Sequence, residues 1–186
     1  MSESESQMHD EAEVTPMEAV PLTVQPTWRA ILREIAVRPS KGKGQNFLTD
    51  QAIVARIADA AALTPDAVVI EVGPGLGILT AELLGRIGAE GHLIAVELDR
   101  RLASYIREEF AAAPALTVIE GDILRQSPAA LLATVPDDTP YTLVANLPYN
   151  ITSAVLRHFL DDPRRPTALT TGRGRRGAET PAATPR

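Results

Sequence analysis

The chain has 186 residues, no cysteine, 45% hydrophobic content and a formal net charge of −6. That length suits one domain rather than two, and the composition excludes collagen-like chains, disulfide scaffolds, thiolate zinc sites and cysteine nucleophiles. No apolar run is long enough to cross a membrane as a helix, and an acidic chain ordinarily has no nucleic-acid partner.

Mapping the charge reverses the last point. Residues 1–26 hold Glu3, Glu5, Asp10, Glu11, Glu13 and Glu18 with no Lys or Arg, so residues 27–186 are neutral overall. Residues 27–44 form a basic collar, with Arg29, Arg33, Arg38, Lys41 and Lys43 against Glu34 alone. The body is acidic, and residues 164–186 carry six Arg against one Glu. The leader lacks the apolar middle of a secretory signal and the Arg-rich character of a transit peptide. It reads as the disordered acidic start of a cytoplasmic protein.

In chain order, Trp28–Val37 reads as a short helix before Pro39, and Lys41–Thr49 as a glycine-containing loop. Thr49 or Asp50 caps a helix running to about Leu63, with Ile53, Val54 and Ile57 on its apolar face. Ala67–Val72 is a short β-branched run of the kind buried on both faces of a parallel sheet. Gly73-Pro74-Gly75-Leu76-Gly77 then opens a helix to about Ile87. His92–Glu97 and Leu116–Glu120 are strands flanking a helix at Asp99–Phe110. Gly121-Asp122 leads to a helix near Pro128–Thr134, and Tyr141–Ala145 is the fourth strand. Asn146-Leu147-Pro148-Tyr149-Asn150 precedes a helix at Ile151–Leu160, and Thr167–Thr170 can begin a fifth strand. Residues 171–186 contain no Val, Ile, Leu, Phe, Tyr or Trp and are expected to form neither strand nor core helix. Strands alternating with helices in this way predict an α/β fold with a doubly wound parallel sheet, which binds ligands at the carboxyl ends of its strands. All the candidate motifs but one fall there.

The glycine loop 73–77 lets the backbone turn tightly and a ligand approach closely. Its G-x-G-x-G spacing is one residue shorter than the dinucleotide fingerprint. Glu71 ahead of it places a carboxylate at the loop mouth, which suits a cationic ligand bearing an amino group better than a pyrophosphate. A purely structural strand-to-helix turn is the alternative. Glu97, closing the second strand, can accept both hydroxyls of a ribose, while Asp99 caps the next helix. Asp122 can accept a hydrogen bond from an exocyclic adenine amine with Ile123 over the ring face, or be an ordinary turn residue. Asn146-Leu147-Pro148-Tyr149 is the most specific signal. An adenine N6 amine is a poor nucleophile because its lone pair is delocalised into the ring. The Asn146 side-chain oxygen and the Leu147 carbonyl can hold its two N–H groups and aim the lone pair at a methyl donor, with Tyr149 stacking on the base. Gly44-Gln45-Asn46-Phe47-Leu48 can reach a bound cofactor, although the residues alone favour a loop with a buried Phe47. His9, His92 and His158 show no metal-ligand spacing, so no metal is assigned.

Five segments together resemble the ribosomal RNA adenine N6-dimethyltransferases, and among them the bacterial small-subunit (16S) enzymes. They are GQNFLTD at 44–50, EVGPGLGILT at 71–80, AVELDR at 95–100, EGDIL at 120–124 and NLPYNITSAVLRHFL at 146–160, covering about residues 38–170. The resemblance implies a Rossmann-like class I methyltransferase domain using S-adenosyl-L-methionine. By position Asn46, Leu48, Gly73, Gly75, Glu97, Asp122 and Asn146 correspond to cofactor contacts, and Asn146, Leu147, Pro148 and Tyr149 to the target-adenine motif. It implies dimethylation of two adjacent adenosines near the 3′ end of small-subunit rRNA. The setting would be a pre-ribosomal particle, with a monomeric cytoplasmic enzyme and the basic collar against RNA. Enzymes that dimethylate a large-subunit rRNA adenosine and confer macrolide resistance share these motifs and are the alternative. A non-catalytic RNA- or ribosome-binding module is a second. A nicotinamide-dependent oxidoreductase is disfavoured by the short glycine spacing and by Glu71.

The likeness stops at Thr170. The expected layout is an acidic leader at 1–26, the N-terminal part of a methyltransferase domain at 27–170, and an unstructured Arg/Gly/Pro-rich tail at 171–186 of out-of-frame character. Such a C-terminally truncated chain would expose the apolar edge of its fourth strand and be weakly stable, aggregation-prone and of little activity.

Overall fold

A computed structural model describes residues 27–37, 48–147, 149–172 and 182–183. The leader, most of the basic collar (Arg38, Lys41 and Lys43 included), Asn46, Phe47, Pro148 and the stretches 173–181 and 184–186 lie outside the described residues.

Among the described residues six strands form one sheet: β1 (Val68–Val72), β2 (His92–Glu97), β3 (Leu116–Glu120), β4 (Tyr141–Asn146), β5 (Ala168–Gly172) and β6 (Ala182–Ala183). Their order is β3-β2-β1-β4-β5-β6; the first five are parallel, and β6 pairs antiparallel with β5. The order reverses between β1 and β4, the place where a doubly wound sheet opens its ligand crevice. β1 occupies the centre because all five of its side chains are buried, which the run Val-Val-Ile-Glu-Val permits.

Period-two alternation sends the strand residues to opposite faces. Ile70, Val72, Ile94, Val96, Leu143 and Ala145 pack beneath α5 (Pro128–Leu131) and α6 (Tyr149–Leu160), where Leu131, Val155 and Phe159 meet them. Val69, Leu93 and Val144 face α2 (Gln51–Ala60) and α3 (Ile78–Leu84), which contribute Val54, Ile57, Ala58, Leu79 and Leu83. Asp50 caps α2 as expected, accepting from the Ala52 and Ile53 amides at 2.9 and 3.3 Å. α1 (Trp28–Glu34) packs through Leu32 on Leu76 of the glycine loop and Leu102 of α4 (Arg100–Glu109). It ends before Val37 because Ala36 turns left-handed at φ 53°.

Two expectations are corrected. β4 has no exposed apolar edge. It pairs with β1 on one side and β5 on the other, from Thr142↔Ala168 to Asn146↔Gly172. Nor is the stretch after Thr170 free of strand: Thr171 and Gly172 complete β5, and Ala182–Ala183 add β6. Backbone ladder bonds need no apolar side chain, so composition misjudged these residues. The connection into β5 is tied to the start of β4. The Tyr141 hydroxyl donates to the Arg164 carbonyl at 2.7 Å, and the Tyr141 carbonyl accepts from the Thr167 amide and hydroxyl at 2.9 and 3.0 Å.

Candidate functional site

The carboxyl ends of β1, β2, β3 and β4 stand side by side. Gly73, Gly75 and Gly77 all have left-handed φ, at 70°, 61° and 77°. This conformation favours glycine, and the resulting loop turns the chain from β1 into α3 within five residues. A Cβ built at Gly73 meets nothing within 4 Å, so the loop leaves open space on that side. At Gly77 it would sit 2.6 Å from the Phe110 ring.

Glu97 holds the loop. Its Oε2 accepts from the Gly75 amide at 3.0 Å and its Oε1 from the Asp99 amide at 2.9 Å, with the residue only 6% exposed. Burial raises its pKa above the ordinary carboxylate value, against the opposing effect of these backbone donors. Each carboxylate oxygen retains acceptor capacity beyond its one backbone bond. Asp99 caps α4 through the Arg101 amide at 3.1 Å.

The Gly121 amide donates to the Glu97 carbonyl at 2.9 Å, which sets the turn after β3 against the end of β2. Asp122 follows and caps a 3-10 turn at Ile123–Arg125, accepting from the Leu124 amide at 3.0 Å. Ile123 is buried in the sheet-facing cluster. Asn146 ends β4 one residue beyond the Val72↔Ala145 pair, level with Gly73. Leu147 buries its side chain in the α6-side core. The Tyr149 backbone opens α6; its side chain, like Pro148 and Asn46, lies outside the described residues. Leu48 packs partly buried against the α2–α3 cluster. The structure therefore brings Gly73, Gly75, Glu97, Asp122, Asn146 and Leu147 to one edge of the sheet.

Glu71 departs from expectation. Its carboxyl does not stand at the loop mouth. It is 1% exposed beneath the first turn of α3, where Oε2 accepts from the Thr80 hydroxyl at 2.7 Å and Oε1 has no hydrogen-bond partner among the described residues. Burial pushes its pKa up to about 8; the Thr80 hydroxyl opposes the rise, and the nearby Glu97 charge adds to it.

No group of three or more His, Asp or Glu side chains among the described residues is arranged to hold a metal ion. No helix among them is long and apolar enough to cross a membrane.

The family model for ribosomal RNA adenine dimethylase matches residues 38–171. The chain belongs to the ribosomal RNA adenine dimethylase family. It is 48% identical over 141 residues to "Ribosomal RNA small subunit methyltransferase A" of Dehalococcoides mccartyi, a match covering 76% of this chain and 46% of that protein. The Rhodococcus erythropolis protein of the same name is 40% identical over 172 residues, 89% of this chain and 55% of its own. The chain thus spans about half the length of the curated relatives it matches. Among solved structures it resembles the 23S rRNA methyltransferase ErmE, with 36% identity and a TM-score of 0.57 over 68% of this chain and 47% of that one. A Plasmodium falciparum dimethyladenosine transferase shares the fold at 23% identity and TM-score 0.55, over 68% of this chain and 42% of that one.

Three neighbours of this candidate site were not read from the sequence. Leu98 is 59% exposed between Glu97 and Asp99, an apolar side chain on the rim; its signal was a leucine between two strand-end carboxylates. Thr80 is buried on Glu71, and nothing in the helical pattern marks it. Gly172 stands opposite Asn146, and a Cβ there would lie 2.4 Å from Ile57 Cδ1 and 3.3 Å from Asn146 Oδ1. Its importance comes from strand pairing, which no local pattern announces.

Proposed function

We propose that this chain carries the cofactor-binding and target-adenine machinery of an S-adenosyl-L-methionine-dependent rRNA adenine N6-dimethyltransferase. Two adjacent adenosines near the 3′ end of small-subunit rRNA are the substrate. The observation that carries the reading is the placement of Asn146 and Leu147 at the end of β4, level with a glycine loop clamped by Glu97.

The residues fit such a cofactor. Three left-handed glycines leave room at Gly73, Glu97 has remaining acceptor capacity for ribose hydroxyls, and Asp122 with Ile123 sits at the next strand end for the adenine. Asn46 and Leu48 would complete the contacts. When bound, the cofactor supplies an electrophilic methyl group on a sulfonium. The Asn146 side-chain oxygen and Leu147 carbonyl would accept the two N6–H groups of the target adenine, drawing the nitrogen toward tetrahedral, and Tyr149 would stack on the base. No strong base is needed before attack, because the proton leaves after the nitrogen becomes cationic. The collar residues Lys41 and Lys43 would meet RNA phosphates, and the enzyme would act as a cytoplasmic monomer on a pre-ribosomal particle.

Radiolabelled methyl groups are expected to enter undermethylated small ribosomal subunits and not large ones. The ErmE likeness favours a large-subunit target as the second reading. Label in large-subunit rRNA would establish that reading, and salt-sensitive RNA binding without label in either would mark a non-catalytic binding module.

Glu97→Gln gives a separate check. An amide nitrogen cannot accept from the Gly75 or Asp99 amide, so one loop anchor and one ribose acceptor are lost. Binding of S-adenosylhomocysteine is expected to weaken roughly ten- to a hundredfold. Equal affinities by calorimetry would remove Glu97 from the ribose role.

A further inference from the structure

We propose that His158 is a positioning residue for adenine recognition: by holding the turn after β3 onto α6, it sets the Asp122 carboxylate at the edge of the cofactor's adenine ring. This inference rests on the S-adenosyl-L-methionine reading above.

Two elements meet at this residue. α6 starts at Tyr149 in the target-adenine motif and carries His158 in its last turn. The 3-10 turn Ile123–Arg125 starts from Asp122 and passes into Gln126. His158 Nε2 lies 2.7 Å from the Gln126 carbonyl oxygen. A carbonyl only accepts, so Nε2 carries a proton and donates it. The pair is half-buried, so water competes for the bond less than at an open surface. Apolar packing does not do the same work. Ile123 shares a buried cluster with Val155 and Phe159 of α6, but apolar contacts are non-directional and by themselves do not fix how the turn is rotated.

The bond reaches Asp122 through short links. The Gln126 amide donates to the Ile123 carbonyl at 3.3 Å, so the carbonyl that His158 holds belongs to the residue closing the turn. A Cβ built at Gly121 would lie 3.0 Å from Gln126 Nε2, which places the Gln126 side chain back over the residue before Asp122. Gly121 is itself fixed to β2 by its amide on the Glu97 carbonyl at 2.9 Å. Between these two fixed ends, Asp122 commits Oδ1 to the Leu124 amide at 3.0 Å. Its Oδ2 stands 3.8 Å from the exposed Arg125 guanidinium, a loose surface pair that leaves this oxygen open to an N–H of the ligand. A carboxylate tells adenine from a 6-oxo purine only while it is held at the N6 position, since it accepts from an amine and repels a carbonyl oxygen. With the Gln126 carbonyl released, the turn keeps one fixed end in place of two, and the carboxylate drifts from that position.

The test is calorimetric titration of the full chain with S-adenosylhomocysteine and with S-inosylhomocysteine, which carries a carbonyl in place of the N6 amine. The unsubstituted chain should prefer the adenine ligand by roughly tenfold, the worth of one hydrogen bond to a charged group. His158→Phe keeps a ring without the N–H, and the preference should fall to about twofold or less. His158→Asn, polar but too short to reach the carbonyl, should match it. His158→Gln carries an N–H at a reach similar to that of Nε2 and should restore most of the preference. Asp122→Asn should lose the preference by itself, and adding His158→Phe should lower it no further, because both act through one contact. A lower urea midpoint in His158→Phe with the preference intact would show a structural role alone and overturn the proposal, as would a loss that His158→Gln leaves unrepaired. Equal binding of both ligands by the unsubstituted chain would overturn it while leaving the cofactor reading standing. No binding of either ligand would remove the cofactor reading and the proposal together.

Discussion

Asn146→Ala is expected to lower methyl transfer to undermethylated small subunits by at least about a hundredfold, the usual consequence of deleting one polar group that acts on the reacting atom. Asn146 is the last residue of β4 and sits between Gly73 on one side and Gly172 on the other. Its oxygen is one of two acceptors that the proposed chemistry needs for the N6 amine. Removing it leaves the Leu147 carbonyl alone, and a single acceptor neither fixes the amine's rotation nor aims its lone pair. The ladder bonds of β4 come from the backbone, so the strand itself should survive. Cofactor affinity should be weaker yet measurable, because Glu97 and the glycine loop remain. Single-turnover labelling, read beside calorimetric binding, separates the two effects. Unchanged turnover would sink the mechanism.

The second large effect concerns stability rather than activity. Glu71 binds its proton up to about pH 8 in the folded chain, against an ordinary value of 4.5. Between those values the folded state holds a proton that the unfolded chain has released. The free energy of unfolding therefore falls as pH rises from 4.5 to 8 and is flat with respect to this group above. Glu71→Gln cannot ionise and escapes that loss. Its amide oxygen can still accept from Thr80, while its NH2 group, lacking a partner, costs about 1–3 kcal/mol at every pH. The stability of Glu71→Gln relative to the unsubstituted chain should thus climb by several kcal/mol between pH 4.5 and 8, then level off. Urea unfolding at pH 5, 7 and 9 checks this. A difference independent of pH would show that Glu71 ionises freely in the folded chain.

Local pattern was a good guide where a segment's own residues settle the outcome. The strands His92–Glu97 and Leu116–Glu120 coincide with their expected spans. Asp50 and Asp99 cap the helices that follow them because a carboxylate reaches back to amides two or three residues on. Departures came at ends: α3 stops at Leu84 rather than near Ile87, α5 is four residues long, and Ala36 terminates α1. Each end depends on what packs there, which the segment alone does not contain.

Residues 1–186 by themselves determined the alternation of strand and helix, the glycine loop, the strand-end motifs and their order, and with these the family. Those features are carried by side chains close in sequence, and periodicity exposes them. Only the tertiary structure decided that Glu71 is buried under Thr80 instead of facing a ligand at the loop mouth. It alone decided that Glu97 clamps Gly75 across 22 residues, and that β4 is enclosed by β5, with Thr170 donating to the Ala60 carbonyl 110 residues away. These are long-range pairings, and their free energy exists only once the sheet has brought distant residues together. The charge that opened the reading follows the same division. A leader of six carboxylates is visible in composition, whereas a carboxyl that keeps its proton at neutral pH is created by burial alone.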